Sequence, residues 1–191
     1  MRPGPLLGDR SGGLPGTRAR RALALVAVLV VAPAALRAEP IAAGRVVAIA
    51  DGDTLTLLDA SSVQHRIRLA GIDAPEEGQA FGQRARENLS RLAFGREVRT
   101  ECQKRDRYGR EVCKVWVQPL ECPTCGLTLD VGLAQLTQGL AWHYRKYERE
   151  QTPEDRGRYA FAEEEARMKK AGLWSEPSPV APWDWRAPRR R

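Results

Sequence analysis

The chain has 191 residues, 42% of them hydrophobic and 29% charged, which is enough for one domain plus extensions. Its formal charge of +7 is a poor guide to partners: residues 1–38 hold six arginines and one acid, so +5 belongs to that stretch and only +2 to the rest. Global basicity therefore identifies no nucleic-acid partner, and any electrostatic footprint has to be local. Only His65 and His143 offer imidazoles, which argues against histidine-rich transition-metal sites.

Residues 1–17 are rich in Gly, Pro and Arg and show no periodicity. Arg18, Arg20 and Arg21 then precede the apolar run "ALALVAVLVVAPAAL", residues 22–36. A positive n-region, an apolar stretch too short to span a bilayer comfortably and closing small residues make a secretory signal pattern. Cleavage fits after Ala34, with Ala32 at the −3 position, or after Ala38. Export to a periplasmic or extracellular space is the expectation. The alternative is an uncleaved N-terminal anchor, the one route to a membrane. The expected division is a leader over 1–38, a domain over 39–175 and a Pro/Trp/Arg-rich tail over 176–191.

After the leader the pattern is strand-rich. "RVVAIA" is apolar and β-branched, and "TLTLLD" alternates. "VQHRIRLAGI" places Val63, Ile67 and Leu69 on one face by period two, with Arg66 and Arg68 on the other. "DGD" and "DASS" supply turns. Residues 79–94, with Phe81, Ala85, Leu89 and Leu92 at helical spacing, predict a helix ended by Gly95. Two strands follow, joined by "RDRYGR" at 105–110. "TLDVGLAQLTQGLAW", residues 128–142, predicts a second helix. Residues 153–171, with Pro153 at the first helical position and Gly172 as the stop, predict a third. Three strands, a helix, two strands and two helices fit an α+β fold with a mainly β core. The expected core is a five-stranded antiparallel barrel of OB type with three appended helices, an architecture that often binds nucleic acids and sugars.

Cys102 and Cys113 are equidistant from the centre of "RDRYGR", so a hairpin turning there sets them opposite each other. Cys122 and Cys125, in "CPTC", can close a small loop of their own. Disulfides suit an exported chain. A four-cysteine zinc site stays open as the rival, although the spacing lacks paired C-x-x-C knuckles.

The chemistry gathers at three turns. Asp53 points from the "DGD" bend, and Asp73 ends the third strand just before Pro75. At one barrel rim these two carboxylates repel unless a cation compensates them. Oxygen ligands favour Ca²⁺ or Mg²⁺, and flexible, partly hydrated coordination favours Ca²⁺. The planar forks of Arg68 and Arg110 suit phosphate. Glu76, beyond the rigid Ala74-Pro75 step, stands where a carboxylate can take a proton from water. Each residue alone also has a plain structural role as a turn-former or surface charge.

Taken together, "VVAIADGDTLTL", "RIRLAGIDAPE", "RDRYGR", "QGLAWHY" and the closing "GLW" resemble the thermonuclease family, the staphylococcal-nuclease-like domain, over about residues 44–174. The resemblance implies hydrolysis of DNA and RNA phosphodiesters with one Ca²⁺ ion, leaving 3′-phosphate ends, by a monomer whose partner is nucleic acid, with single strands the expected preference. It implies Asp53, Asp73 and the main-chain carbonyl of Ala74 as metal ligands, Glu76 as general base, and Arg68 and Arg110 on the scissile phosphate. Arg107, Tyr108, Tyr144 and Tyr147 become candidate substrate contacts. Ala74 replaces a frequent threonine but keeps the carbonyl. The "ECPTCG" insertion has no counterpart in the family prototype, and Trp174, Trp183 and Trp185 are expected to cover the barrel rather than bind bases. The alternative function is a non-catalytic nucleic-acid-binding module.

Overall fold

The computed structural model describes residues 43–187. The signal or anchor over 1–38 and the last arginines, 189–191, lie outside these residues. In chain order the elements are β1 (Ala43–Ile49), β2 (Thr54–Leu58), β3 (Gln64–Leu69), β4 (Ile72–Asp73), α1 (Gly82–Ala93), β5 (Glu97–Arg105), β6 (Glu111–Val117) and β7 (Leu129–Asp130). They continue with α2 (Val131–Thr137), β8 (Trp142–His143), α3 (Pro153–Met168) and the one-turn α4 (Pro182–Trp185).

Five strands close on themselves in the order β3-β2-β1-β5-β6, with β7 added outside β6. Four of the five seams are antiparallel: β1–β2, β2–β3 and β5–β6 follow from short turns between successive strands, and β1–β5 joins strands distant in sequence. The closing seam, β3 against β6, is parallel, so the barrel is mixed. The parallel pair follows from topology: α1 and β5 lie between β3 and β6 in sequence, and such a crossover brings β6 back in the same direction. Inward-facing Val46, Leu55, Leu57, Ile67, Leu69, Val98, Val115 and Val117 fill the interior, none more than 2% exposed. Alternation along each strand makes this core, because every second side chain points inward.

The helices cap the barrel with apolar faces. α1 buries Ala85, Leu89, Leu92 and Ala93, and Gly95 follows it. Thr152 caps α3 by accepting from the Asp155 amide at 3.1 Å. Two sequence expectations change. The helix predicted over 128–142 stops at Thr137, because Gly139 turns with φ +63° against the backbone of Ala171, leaving no room for a Cβ. Trp142 and His143 then pair with Ile72 and Asp73 as a two-stranded ribbon. Val63, placed with Ile67 and Leu69 by period two, lies in the turn before β3 and is half exposed.

Candidate active site at the barrel mouth

The "DGD" bend between β1 and β2 is held from both sides. The Asp51 carboxylate accepts from the Asp53 amide at 2.9 Å. Gly52 is buried, and a Cβ there would meet those of Ala85 and Ala74 at 2.6 and 2.7 Å, so only glycine lets the bend approach α1. Gln135 of α2, fully buried, donates to Gly52 O at 2.7 Å and Ala85 O at 2.9 Å and accepts from Asn88 at 2.6 Å. This polar brace ties the bend to two helices. Sequence reasoning missed it, because Gln135 sits among apolar helix positions with no local sign of its partners.

Asp53 is thereby fixed and nearly buried. Its Oδ2 accepts from the Ala74 amide at 2.9 Å, and its Oδ1 accepts from Thr54 Oγ1 at 3.0 Å and pairs with Arg68. The β2–β3 register sets Thr54 directly opposite Arg68, which explains the proximity. Arg68 Nη2 reaches Asp73 Oδ1 at 2.8 Å, and Asp73 is fully buried at the end of β4, opposite Trp142. One guanidinium thus bridges two buried carboxylates.

The electrostatics follow from burial and these partners. Desolvation pushes Asp53 up, but the Arg68 charge and the Ala74 and Arg68 hydrogen bonds outweigh it and hold the carboxyl below its ordinary value. Burial dominates at Asp73 and raises its pKa, with Arg186 and Arg68 opposing and Asp53 adding repulsion. Asp51, partly buried beside Asp53, is pushed up to about 6, first by desolvation and then by the Asp53 charge. Burial opposes the charge on Arg68, yet the neighbouring aspartates raise its pKa further.

Arg110 approaches from the β5–β6 turn. Asp106 organises that turn by accepting from the amides of Tyr108 (2.8 Å) and Arg110 (2.9 Å) and from Arg110 Nε (2.8 Å). Burial works against the Asp106 charge, but these donors hold its pKa below the ordinary value. Arg110 Nη1 donates to Thr54 Oγ1 at 3.2 Å, so Arg110, Thr54 and Asp53 form one hydrogen-bonded chain. Arg107 donates to the Tyr108 hydroxyl at 2.6 Å on the outer rim, where Tyr108 is mostly exposed. Glu76, half exposed, stands across the mouth and pairs with Arg186 of the tail. Tyr144 and Tyr147 meet edge to face, centroids 5.1 Å apart, on the same side.

The carboxylates, arginines and tyrosines of the mouth line one cavity of about 810 Å³. The structure thus brings Asp53, Arg68, Asp73, Ala74, Glu76, Arg107, Tyr108, Arg110, Tyr144 and Tyr147 to one opening. It adds Arg186 and Trp183 from the tail, which sequence analysis did not assign to the site. The expectation that Trp174, Trp183 and Trp185 all cover the barrel is corrected. Trp174 is buried, Trp183 lies flat on Tyr144 at the rim (5.4 Å, 11°), and Trp185 is 46% exposed. Trp142 is enclosed by Trp174 and Trp183, at 4.4 and 5.6 Å, leaving Tyr144 and Tyr147 beside Tyr108 and Trp183 as the aromatic rings at the opening.

The cysteines form two disulfides, Cys102–Cys113 across β5 and β6 and Cys122–Cys125 in the loop before β7, so no thiol is free for zinc. The "CPTC" loop does not line the cavity. The donor set at the mouth is two buried carboxylates with a neighbouring main-chain carbonyl, without imidazole or thiolate among them. It fits a hard divalent cation.

Fold and mouth together define an OB-type barrel whose opening joins a buried carboxylate pair to a cluster of arginines. Residues 66–176 match the family model described as staphylococcal nuclease homologue. The chain is 46% identical to Protein ParB of Escherichia coli over 170 residues, 87% of this chain and 89% of that one. It is 44% identical to a micrococcal nuclease of Shigella flexneri over 144 residues (75% and 79%), and 38% identical to a Haemophilus influenzae protein named an uncharacterized endonuclease (74% and 71%). The chain belongs to the staphylococcal nuclease family and is by class a nuclease. The family is generally metal-dependent.

Proposed function

We propose that this chain is an exported, monomeric, Ca²⁺-dependent nuclease that hydrolyses phosphodiester bonds of DNA and RNA and leaves 3′-phosphate ends. The observation that carries it is the bridge Asp53–Arg68–Asp73, opening on the same cavity as Glu76 and Arg110. Asp53, Asp73 and the Ala74 carbonyl would hold one Ca²⁺, which supplies Lewis acidity toward a phosphoryl oxygen. Glu76, half exposed at the mouth, accepts the proton of the attacking water. Arg110 and Arg68 offer N–H donors to the negative charge that builds on phosphorus. The water oxygen bonds to phosphorus as the bond to the 5′-oxygen breaks, and that oxygen takes a proton from solvent. Arg107 and Tyr108 contact the strand at the outer rim, and Tyr144 and Tyr147 present aromatic faces to a base. Export is supported by the leader pattern and by the pairing of all four cysteines in disulfides.

The test is digestion of single-stranded DNA and of RNA, end-labelled, in Ca²⁺ and in chelator. Cleavage in Ca²⁺ to 3′-phosphorylated fragments, abolished by chelator, is the expected result. Binding without cleavage in both buffers would instead support a binding module.

A further inference from the structure

Resting on that reading, we infer that residues 180–187 form an autoinhibitory strap whose Arg186 and Trp183 hold the places of cation and base. The strap is built by local rules. Ala181 and Pro182 are buried, and Gln79 donates its side-chain amide to Val180 O. Pro182 starts a single helical turn in which the amides of Asp184 and Trp185 bond to Ala181 O and that of Arg186 to Pro182 O, each at 3.0 Å. Positions three apart on such a turn are neighbours, so Trp183 and Arg186 face the mouth together.

Arg186 contacts acids of the site. Its Nη2 meets Asp73 Oδ2 at 2.6 Å, and its Nη1 meets Asp73 Oδ1 at 3.3 Å and pairs with Glu76. A cation held by Asp73 would face this guanidinium as a like charge, and the Glu76 oxygen it engages already accepts from Arg186. At the same time Trp183 lies parallel to Tyr144, covering an aromatic face on which a base would stack. One short segment therefore covers a cation ligand, the proposed base and a stacking platform. The hold is shallow, because the Arg186 side chain is 43% exposed, and a strap attached this way opens locally without unfolding the barrel. Cation and substrate thus enter by displacing the tail, and the tail sets the concentrations they need.

The first test is calorimetric titration of Ca²⁺ into the full chain, Arg186→Ala and Arg186→Lys. Removing the competing charge should tighten Ca²⁺ binding about tenfold, or 1.4 kcal/mol, with Arg186→Lys falling between. The second follows amide hydrogen exchange at residues 184–186 in chelator as a single-stranded oligonucleotide is added. Exchange there should accelerate while the barrel amides stay protected. Equal or weaker Ca²⁺ binding by Arg186→Ala would overturn the strap and leave the nuclease reading standing. If no form binds Ca²⁺, the Ca²⁺ assignment fails, and the exchange experiment decides the strap: acceleration supports it, and unchanged or slowed exchange overturns it.

Discussion

Replacing Arg68 with methionine, which keeps much of the side-chain volume and removes the charge, tests the electrostatic frame of the mouth. Arg68 is 13% exposed and serves Asp53 and Asp73, 8% and 1% exposed. Removing one partner of a buried ion pair costs about 3–5 kcal/mol, because the remaining charge is left uncompensated. Asp73 retains Arg186, and the Ala74 amide and Thr54 hydroxyl still serve Asp53, so the low end, about 3 kcal/mol, applies. That is a large share of the roughly 5–15 kcal/mol that stabilises a domain. Urea unfolding followed by tryptophan fluorescence, in chelator and in saturating Ca²⁺, reads the effect. In chelator the variant should lose about 3 kcal/mol. In Ca²⁺ the deficit should shrink to about 1–2 kcal/mol, since the ion supplies the missing positive charge and binds only the folded state. A loss below about 1 kcal/mol in chelator, or the same loss in both buffers, would refute the view that Arg68 compensates a carboxylate pair shaped for a cation.

Three further outcomes follow from other parts of the fold. Gln135→Leu strips the donor from the Gly52 and Ala85 carbonyls, so urea unfolding should show a loss of about 3 kcal/mol, and the Ca²⁺ concentration for half-maximal cleavage should rise. Replacing Cys102 and Cys113 together with alanine frees a loop whose ends are 11 residues apart, and unfolding free energy without reductant should drop by about 2–3 kcal/mol, a gap that closes when reductant opens the same bond in the parent. Tyr159, buried and donating to both Asp130 oxygens at 3.1 and 2.9 Å, has its hydroxyl pushed well above the ordinary tyrosine range, first by burial and then by the Asp130 charge. A raised folded pKa contributes stability that is whole below pH about 10 and falls away as pH climbs toward the folded value. Unfolding at pH 9 and pH 11 should show that decline in the parent, and Tyr159→Phe should flatten it while lowering stability at pH 9 by about 1.5–3 kcal/mol.

Much of this architecture was legible from local pattern. Period-two alternation marked β2 and β3, and the β2–β3 hairpin alone puts Thr54 opposite Arg68, so the Asp53–Arg68 contact follows from register. The symmetry of Cys102 and Cys113 about the "RDRYGR" turn foretold their opposition across β5 and β6. Other features depend on partners distant in sequence. The parallel β3–β6 seam, the pairing of Trp142 with Asp73 and the brace from Gln135 to Gly52 exist only once the chain has closed. The tail is the clearest case. Its residues carry no strand or amphipathic-helix period, and Arg186 meets Asp73 across 113 positions through charge complementarity that sequence spacing does not encode.

The central claim is that Glu76 takes a proton from water beside a cation held by Asp53 and Asp73. The most direct test compares initial rates of single-stranded DNA hydrolysis at saturating Ca²⁺ for the parent and Glu76→Gln, with circular dichroism verifying the fold of each. A positioned base contributes about 10²–10⁴-fold, so Glu76→Gln should be slower by at least that lower bound with an unchanged spectrum. A Glu76→Gln enzyme that cleaves as fast as the parent would contradict the account.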